Sequence, residues 1–357
     1  MSEEHTRILV VGGAGGVGKG SHLPAIASLP AIDLAGVVDV SDEALRAVSE
    51  EYGCPVYMDL QTALDSVDVD VVDICSPDFA HAEQALQAAR SGKHVLCEKP
   101  LALTIEDALA IREAARASKV KVMVAQVMRY QSRWRSLQRA VAEGRVGSPV
   151  FGRFTMRGAF FSYPANSFYR TPESLGEIVH NGMHYFDTLA WILGTRPAWV
   201  SAEALEHYPL DDRLPGPNYW NIQVGFESGA LGHIEANLAL DQPRGVRAEQ
   251  ACFIVGTQGT ISSDGADAAI VEQWDGQYSW PASWPSGVVQ SFADEIEDFV
   301  AAVRQDGPPS VGLDWSIRIL EACLACLEAV RERRRVDLVY PEAADRNVSE
   351  LAEMEED

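Results

Sequence analysis

From Ile8 to Ala125 short apolar runs alternate with stretches in which apolar residues recur every three or four positions, the rhythm of buried strands separated by amphipathic helices. The runs fall at 8–12, 32–39, 69–75, 93–98 and 121–126, and between them EALRAVSEEYG and FAHAEQALQAARSG have helical spacing, the second closed by Gly92 as a C-cap. This alternation predicts a doubly wound parallel sheet with crossover helices. After Arg145 the pattern changes. GSPVFGRFTMRGAFF, AWVSAEALEHY, NYWNIQVGFESGALGHIEANLAL and ACFIVGTQGTISS read as longer strands joined by turns such as the one at Glu227. Helices are expected around 179–193, 288–304 and 314–333, covering one face of an open, mostly antiparallel second sheet. The fold class is therefore α/β followed by α+β.

At 357 residues the chain exceeds what one core ordinarily serves. The expected organisation is a first domain at 1–127, a second at 128–340 and an acidic tail at 341–357, with helix and turn rather than a flexible tether near 126–148. A formal charge of −23 argues against nucleic acid or an anionic membrane as partner, since either would demand a basic face. The N-terminal MSEEHTR has no apolar leader and no stretch is apolar for the length of a membrane span, so a cytoplasmic protein is expected. Six cysteines are scattered, and the C-x-x-C of Cys323 and Cys326 lies inside the helical run EACLACLEAV. Both are read as small buried hydrophobes, and no metal site is expected.

The first strand runs into Gly12-Gly13-Ala14-Gly15-Gly16-Val17-Gly18, placing G-x-G-x-x-G on Gly13, Gly15 and Gly18 between a strand and a helix. In that setting Gly13 permits a tight turn, Gly15 and Gly16 let a pyrophosphate approach the backbone, and Gly18 lets the helix pack closely. The following helix N-terminus offers N–H donors. A rival reading is a P-loop on Gly13, Gly18 and Lys19, that is, a phosphotransferase, but Gly20 stands where a magnesium-binding hydroxyl belongs and Ser21 comes one place late. Asp39 ends the second strand 21 residues after Gly18, where a carboxylate accepts hydrogen bonds from a ribose diol and repels a 2'-phosphate. NAD is favoured over NADP, with Lys19 and Arg46 as the residues that could speak for NADP.

The segment CSPDFAHAEQALQAARSGKHVLCEKP, residues 75–100, resembles the glucose–fructose oxidoreductase, inositol dehydrogenase and rhizopine catabolism (Gfo/Idh/MocA) family, and the resemblance runs from the glycine loop to the helix starting near Asp314. It implies a Rossmann domain, a second domain whose open sheet forms a homodimer or homotetramer interface, and a substrate site between them. It further implies that Ser76, Pro77 and His81 line the nicotinamide side, that Glu98 contacts the cofactor region, that Lys99 meets the reacting hydroxyl, and that Pro100 follows a cis bond. Independently, Lys99 sits at the carboxyl end of a parallel strand, where ligands bind, and an ammonium there stabilises a hydroxyl losing its proton.

SLGEIVHNGMHYFDTLAWILG, residues 174–194, resembles the family segment in which His184 aligns with the catalytic histidine and Asp187 with the acid after it. The family aspartate four residues before that histidine is His180 here, so the substrate class is open. His180 and His184 at i, i+4 would share a helix face, a metal-ligand spacing, but residue 181 is Asn, Gly182 weakens the helix, and no third ligand is evident. His180 is read as a contact to a neighbouring hydroxyl or a second base. Arg129, Tyr169 and Arg170 are candidates for the substrate, Arg129 and Tyr130 lying beside the site, and an arginine could equally pin a loop. Trp220 and Asn221 are read as core or interface. The expected function is NAD-dependent oxidation of a sugar-like or cyclitol-like hydroxyl. The alternatives are a lyase or glycosidase that oxidises transiently, and a non-catalytic NAD- or sugar-binding regulator.

Overall fold

A computed structural model describes residues 5–157, 175–205, 216–237, 249–263, 270–273, 278–279 and 288–339. The expectations for Tyr169, Arg170 and the acidic tail lie outside them.

The first sheet holds β1 (Thr6–Val11), β2 (Ile32–Val38), β3 (Val56–Tyr57), β4 (Val71–Ile74), β5 (His94–Cys97) and β6 (Val122–Val124). All pairs are parallel, in the order β3-β2-β1-β4-β5-β6. The five predicted strands form, with ends displaced by one or two residues; β3, two residues long, is too short to show a period. Between the strands run α1 (Leu23–Ser28), α2 (Asp42–Tyr52), α3 (Leu60–Ser66), α4 (Asp78–Arg90) and α5 (Ile105–Ser118). Local chemistry sets their ends: Ser41, Asp59 and Thr104 cap α2, α3 and α5 by accepting backbone N–H bonds, and Gly53 ends α2 at φ +66°. The order reverses between β1 and β4, which opens a crevice at the carboxyl ends of the strands.

The second sheet follows α6 (Ser132–Ala142). It contains β7 (Pro149–Arg157), β8 (Pro197–Leu205), β9 (Tyr219–Phe226), β10 (Leu231–Asn237), β11 (Glu249–Gly256), β12 (Gly259–Ser263), β13 (Ile270–Gln273), β14 (Tyr278–Ser279) and β15 (Val336–Asp337). Their order is β14-β13-β12-β11-β7-β10-β9-β8-β15, antiparallel except for β7 beside β10. Alternation decides the faces: Trp220, Ile222 and Val224 are buried, whereas Asn221 and Gln223 between them are exposed. Helices pack on the buried face, among them α8 (Gly182–Leu193) and α10 (Leu313–Glu332). Cys323 and Cys326 on α10 are fully buried in that core, where burial pushes both thiols up.

Two helix expectations are corrected. The stretch 179–193 is interrupted at Asn181, between α7 (Glu177–His180) and α8, where the His184 N–H bonds back three residues to the Asn181 carbonyl instead of four, and Gly182 is required because a Cβ there would meet Ile178 at 2.9 Å. His180 and His184 therefore lie on two successive helices, one on either side of Asn181. The second correction concerns α9 (Val288–Arg304), which was expected on the second sheet. Its stripe of Phe292, Ile296, Phe299 and Val300 instead enters the first-sheet core with Ile8, Val10, Leu23 and Ile26. An apolar stripe reveals that a helix is half-buried but not which surface receives it.

Candidate active site

The glycine loop is shaped by crowding on one side and openness on the other. A Cβ on Gly12 (φ +75°) would sit 2.5 Å from Ser76 Cα, and one on Gly18 would sit 2.6 Å from the Gly12 carbonyl. Close packing at Gly18 is as expected, but the left-handed turns fall on Gly12 and Gly16 (φ +47°), not on Gly13. Gly13 is required instead because a Cβ would meet Val37 at 2.9 Å. At Gly15 and Gly16 nothing lies within 4 Å of the Cβ position, so the backbone there is open to a ligand. Val17 leans on the first-sheet core. Asp39 accepts from the N–H groups of Ala14 (3.1 Å) and Ser41 (3.2 Å), which brings its carboxylate to the loop. Arg46 is paired with Asp42 on α2. This loop fits a dinucleotide: Gly15 and Gly16 would take its pyrophosphate and Asp39 its ribose.

Behind the loop the chain makes a π-turn at Gly18–His22 before α1 begins. It delivers His22, fully buried, between Asp73 in the middle of β4 (Nδ1 to Oδ2, 2.8 Å) and Glu98 (Nε2 to Oε1, 3.1 Å). Burial lowers the affinity of the imidazole for a proton, but Asp73 outweighs it and holds His22 well above its usual value. Burial likewise pushes Glu98 up, yet its bond to His22 and the charges around it bring it down to about 2. His22, Asp73 and Cys75 place donor atoms within 4.8 Å of one another, but both ring nitrogens already face carboxylates, so the group is a buried ion pair. The sequence reading missed it. The available signal was Asp73, a charge inside an apolar strand, which has to find a partner.

Glu98 reaches the other way too, accepting from the Lys99 backbone N–H at 3.1 Å, and the Lys99–Pro100 bond is cis as expected. The Lys99 ammonium is buried; it donates to His180 Nε2 at 3.1 Å and to the His180 carbonyl at 3.2 Å. Burial lowers the Lys99 proton affinity, with Glu98, Glu177 and Asp78 pulling the other way. His180 Nδ1 lies 3.6 Å from Asp78, the buried first residue of α4. His184 Nδ1 is 3.3 Å from the Gln126 side-chain oxygen. Burial and the Lys99 charge push His184 down to about 3, against the pull of Glu98, and push His180 well below its usual value. Both rings are neutral at physiological pH. Glu177, pushed up to about 7 by burial, accepts from Tyr185 and Asn181 at 2.7 Å each.

Several expected contacts prove to be braces. Both nitrogens of buried His81 face carbonyls, of Ser76 at 2.7 Å and Pro100 at 2.6 Å, so His81 ties the Ser76–Pro77 turn to the Lys99 turn and turns no nitrogen toward a cofactor. Ser76 donates to Gln84, and Pro77 opens α4. Arg129 is engaged by Asp187 in a two-pronged pair at 2.8 and 2.6 Å, with Trp315 donating to the same carboxylate. Its guanidinium also lies over Trp191 and Trp315. The pinning reading therefore replaces the substrate clamp. Tyr130 donates to Asp298 on α9, Trp220 is core, and exposed Asn221 bonds His233.

The first sheet, its open glycine loop and a lysine at the switch-point crevice define the Rossmann class of dinucleotide-dependent oxidoreductase. Residues 6–126 match the oxidoreductase family with an NAD-binding Rossmann fold, and residues 134–262 match the GFO/IDH/MocA C-terminal domain. The chain belongs to the Gfo/Idh/MocA family and is an NAD-binding oxidoreductase. It is 25% identical to D-apiose dehydrogenase of Paraburkholderia graminis over 90% of this chain and 88% of that one. It is 28% identical to inositol 2-dehydrogenase of Rubrobacter xylanophilus over 98% and 99%. An oxidoreductase from Agrobacterium radiobacter, solved with NAD+, L-tartaric acid and magnesium, shares the fold at a TM-score of 0.85, with 21% identity and coverage of 94% and 98%.

Proposed function

We propose that the protein oxidises a secondary hydroxyl of a sugar or cyclitol. The observation that carries this reading is the Lys99 ammonium, presented at the carboxyl end of β5 by Glu98 behind it and His180 beside it. NAD, held by Gly13, Gly15, Gly16, Val17, Gly18 and Asp39, supplies the hydride acceptor. Lys99 binds the hydroxyl oxygen and stabilises the charge that develops as the proton leaves. His184, neutral and oriented by Gln126, and His180, reached through Lys99, are the bases available to take that proton. The names of the relatives, apiose and inositol dehydrogenases, support a polyhydroxylated substrate.

The organisation that goes with this reading is a domain at 1–127 whose core is completed by α9, a domain in the remainder of 128–340 that pairs through the open face of the second sheet, and an acidic tail at 341–357. Among the described residues no helix is long and apolar enough to cross a membrane, and a cytoplasmic homo-oligomer that engages neither membrane nor nucleic acid is proposed. The test is NAD and NADP binding by calorimetry, followed by absorbance at 340 nm against sugars, cyclitols and sugar acids. NADH formed with a panel member supports the reading. NAD bound with no NADH from any of them would replace it by transient oxidation or regulation.

A further inference from the structure

Three carboxylates surround Lys99, and two of them are occupied. Glu98 faces His22 and the Lys99 backbone N–H, while Glu177 faces Tyr185 and Asn181. The third, Asp78, is buried with no side chain of the described residues donating to it within hydrogen-bond distance, and the ring of His180 lies 3.6 Å away. Burial pushes Asp78 up, and the nearby charges of His81 and Lys99, with the backbone N–H groups of Phe79 and Asp78 at the start of α4, offset only part of that cost. On its other side His180 faces Lys99 through Nε2. An ammonium can only donate, so Nε2 accepts and the ring proton sits on Nδ1, toward Asp78. Lys99, His180 and Asp78 thus form a directed row.

We infer, on the strength of the proposed oxidation, that Asp78 is a positioning residue that fixes the His180 tautomer and makes His180 the resting place of the substrate's hydroxyl proton. In the step, the carbinol C–H bond breaks with its electron pair leaving to the oxidant, a nicotinamide. The O–H bond breaks as its proton passes to Lys99 Nζ while one Lys99 N–H bond breaks toward His180 Nε2. The carbinol becomes a carbonyl, Lys99 ends as the ammonium it began, and one proton remains on His180 as an imidazolium against Asp78. The 3.6 Å gap is of the kind that closes when charge develops, since such bonds are often long before the substrate is bound. The other groups around the ring are cations or bases without a carboxylate of their own to offer: His81 from α4, Lys99 from the end of β5, and His184 from α8. Burial and these neighbours keep the resting His180 neutral, so it is ready to accept.

The experiment begins without ligand. Long-range proton–nitrogen NMR of the full chain, labelled with ¹⁵N-histidine, is recorded from pH 5 to 9 for wild type, Asp78→Asn and His180→Asn. The His180→Asn spectrum identifies the His180 signals. Asparagine has the shape of aspartate and removes a carboxylate that burial already disfavours, so Asp78→Asn is expected to fold, and His180→Asn keeps the test alive if it does not. The expected result is an Nδ1–H tautomer at His180 that becomes mixed in Asp78→Asn. Using the polyol that yields NADH in the panel, kcat of Asp78→Asn falls on the order of 100-fold with KM and NAD binding within about threefold. The acid limb of its pH profile moves to lower pH as His180 loses the carboxylate that favours its charged form. An Nε2–H tautomer in wild type, or an unchanged tautomer and pH profile in Asp78→Asn, overturns the inference. If no polyol yields NADH, the proposed oxidation fails by itself, and the tautomer measurement still decides the role of Asp78.

Discussion

Glu98 stands between two histidine pockets that differ in sign. Below it, His22 sits between Asp73 and Glu98 and stays protonated, and above it His180 and His184 sit beside the Lys99 ammonium and stay neutral. All three rings are withdrawn from bulk water, so desolvation alone disfavours charge in each. The deciding factor is the nearest ion: a carboxylate at 2.8 Å overcomes the cost of burial, and an ammonium at 3.1 Å adds to it. The lower pocket is thereby a structural anchor for the strand end that carries Lys99, and the upper one keeps two bases unprotonated.

The sharpest way to break this comparison is to remove the lower cation. His22→Ala leaves Asp73 and Glu98 buried without it, and the loss is expected to be about 3–5 kcal/mol of stability, read by urea unfolding. If the loss is under about 1 kcal/mol, the anchor does not exist. Next comes Lys99→Met, which removes a buried charge from the upper pocket. Here kcat is expected to drop on the order of 100–1000-fold while unfolding is unaffected or slightly improved. Equal losses in kcat and in NAD affinity would count against the assignment.

The pH dependence of stability separates the pockets further. His22, raised in the fold, contributes stability that is complete below about pH 6.5 and is lost as pH climbs through its folded value. Glu98, depressed to about 2, contributes above about pH 4.5 and loses its contribution as pH falls toward 2. His184 is the opposite of His22. Its unfolded form takes up a proton near 6.5 and its folded form only near 3, so stability falls as pH drops between them. His184→Asn should flatten that fall by up to about 1.4 kcal/mol per pH unit, measured by denaturant midpoints between pH 6.5 and 4. The smallest effect expected lies outside both pockets. Asp39→Ala should weaken NAD binding about tenfold, or ~1.4 kcal/mol, and narrow the preference over NADP, read by calorimetry.

The sequence made much of this legible where chemistry is local. Strand runs, glycine spacing, Asp39 and Lys99 at a strand end are all set within a few residues of one another. What it hid was distant pairing. His22 meets partners 51 and 76 residues away, and nothing near it in the chain distinguishes it from a core histidine. Arg129 offered a clamp or a pin, and only Asp187, 58 residues on, decided for the pin. Asp78 reads in sequence as one more acid in the family segment, and its meeting with the His180 ring of α7 comes from tertiary packing. The break at Asn181 was foreshadowed by Gly182, but its effect, turning His180 toward Lys99, belongs to tertiary packing.

The placement of α9 has a consequence for how the protein is made. The strands of the first sheet are all synthesised by Val124, yet one face of their core is closed by Phe292, Ile296 and Phe299. At roughly 5–20 residues per second, the ribosome needs about 10–30 s more to deliver them. Through that interval the nascent first half presents an apolar face that α1 and α2 cover only in part. The dinucleotide-binding half is finished by a helix that emerges long after its strands, so a chain broken off before residue 288 is expected to be a client for chaperones rather than a small working domain.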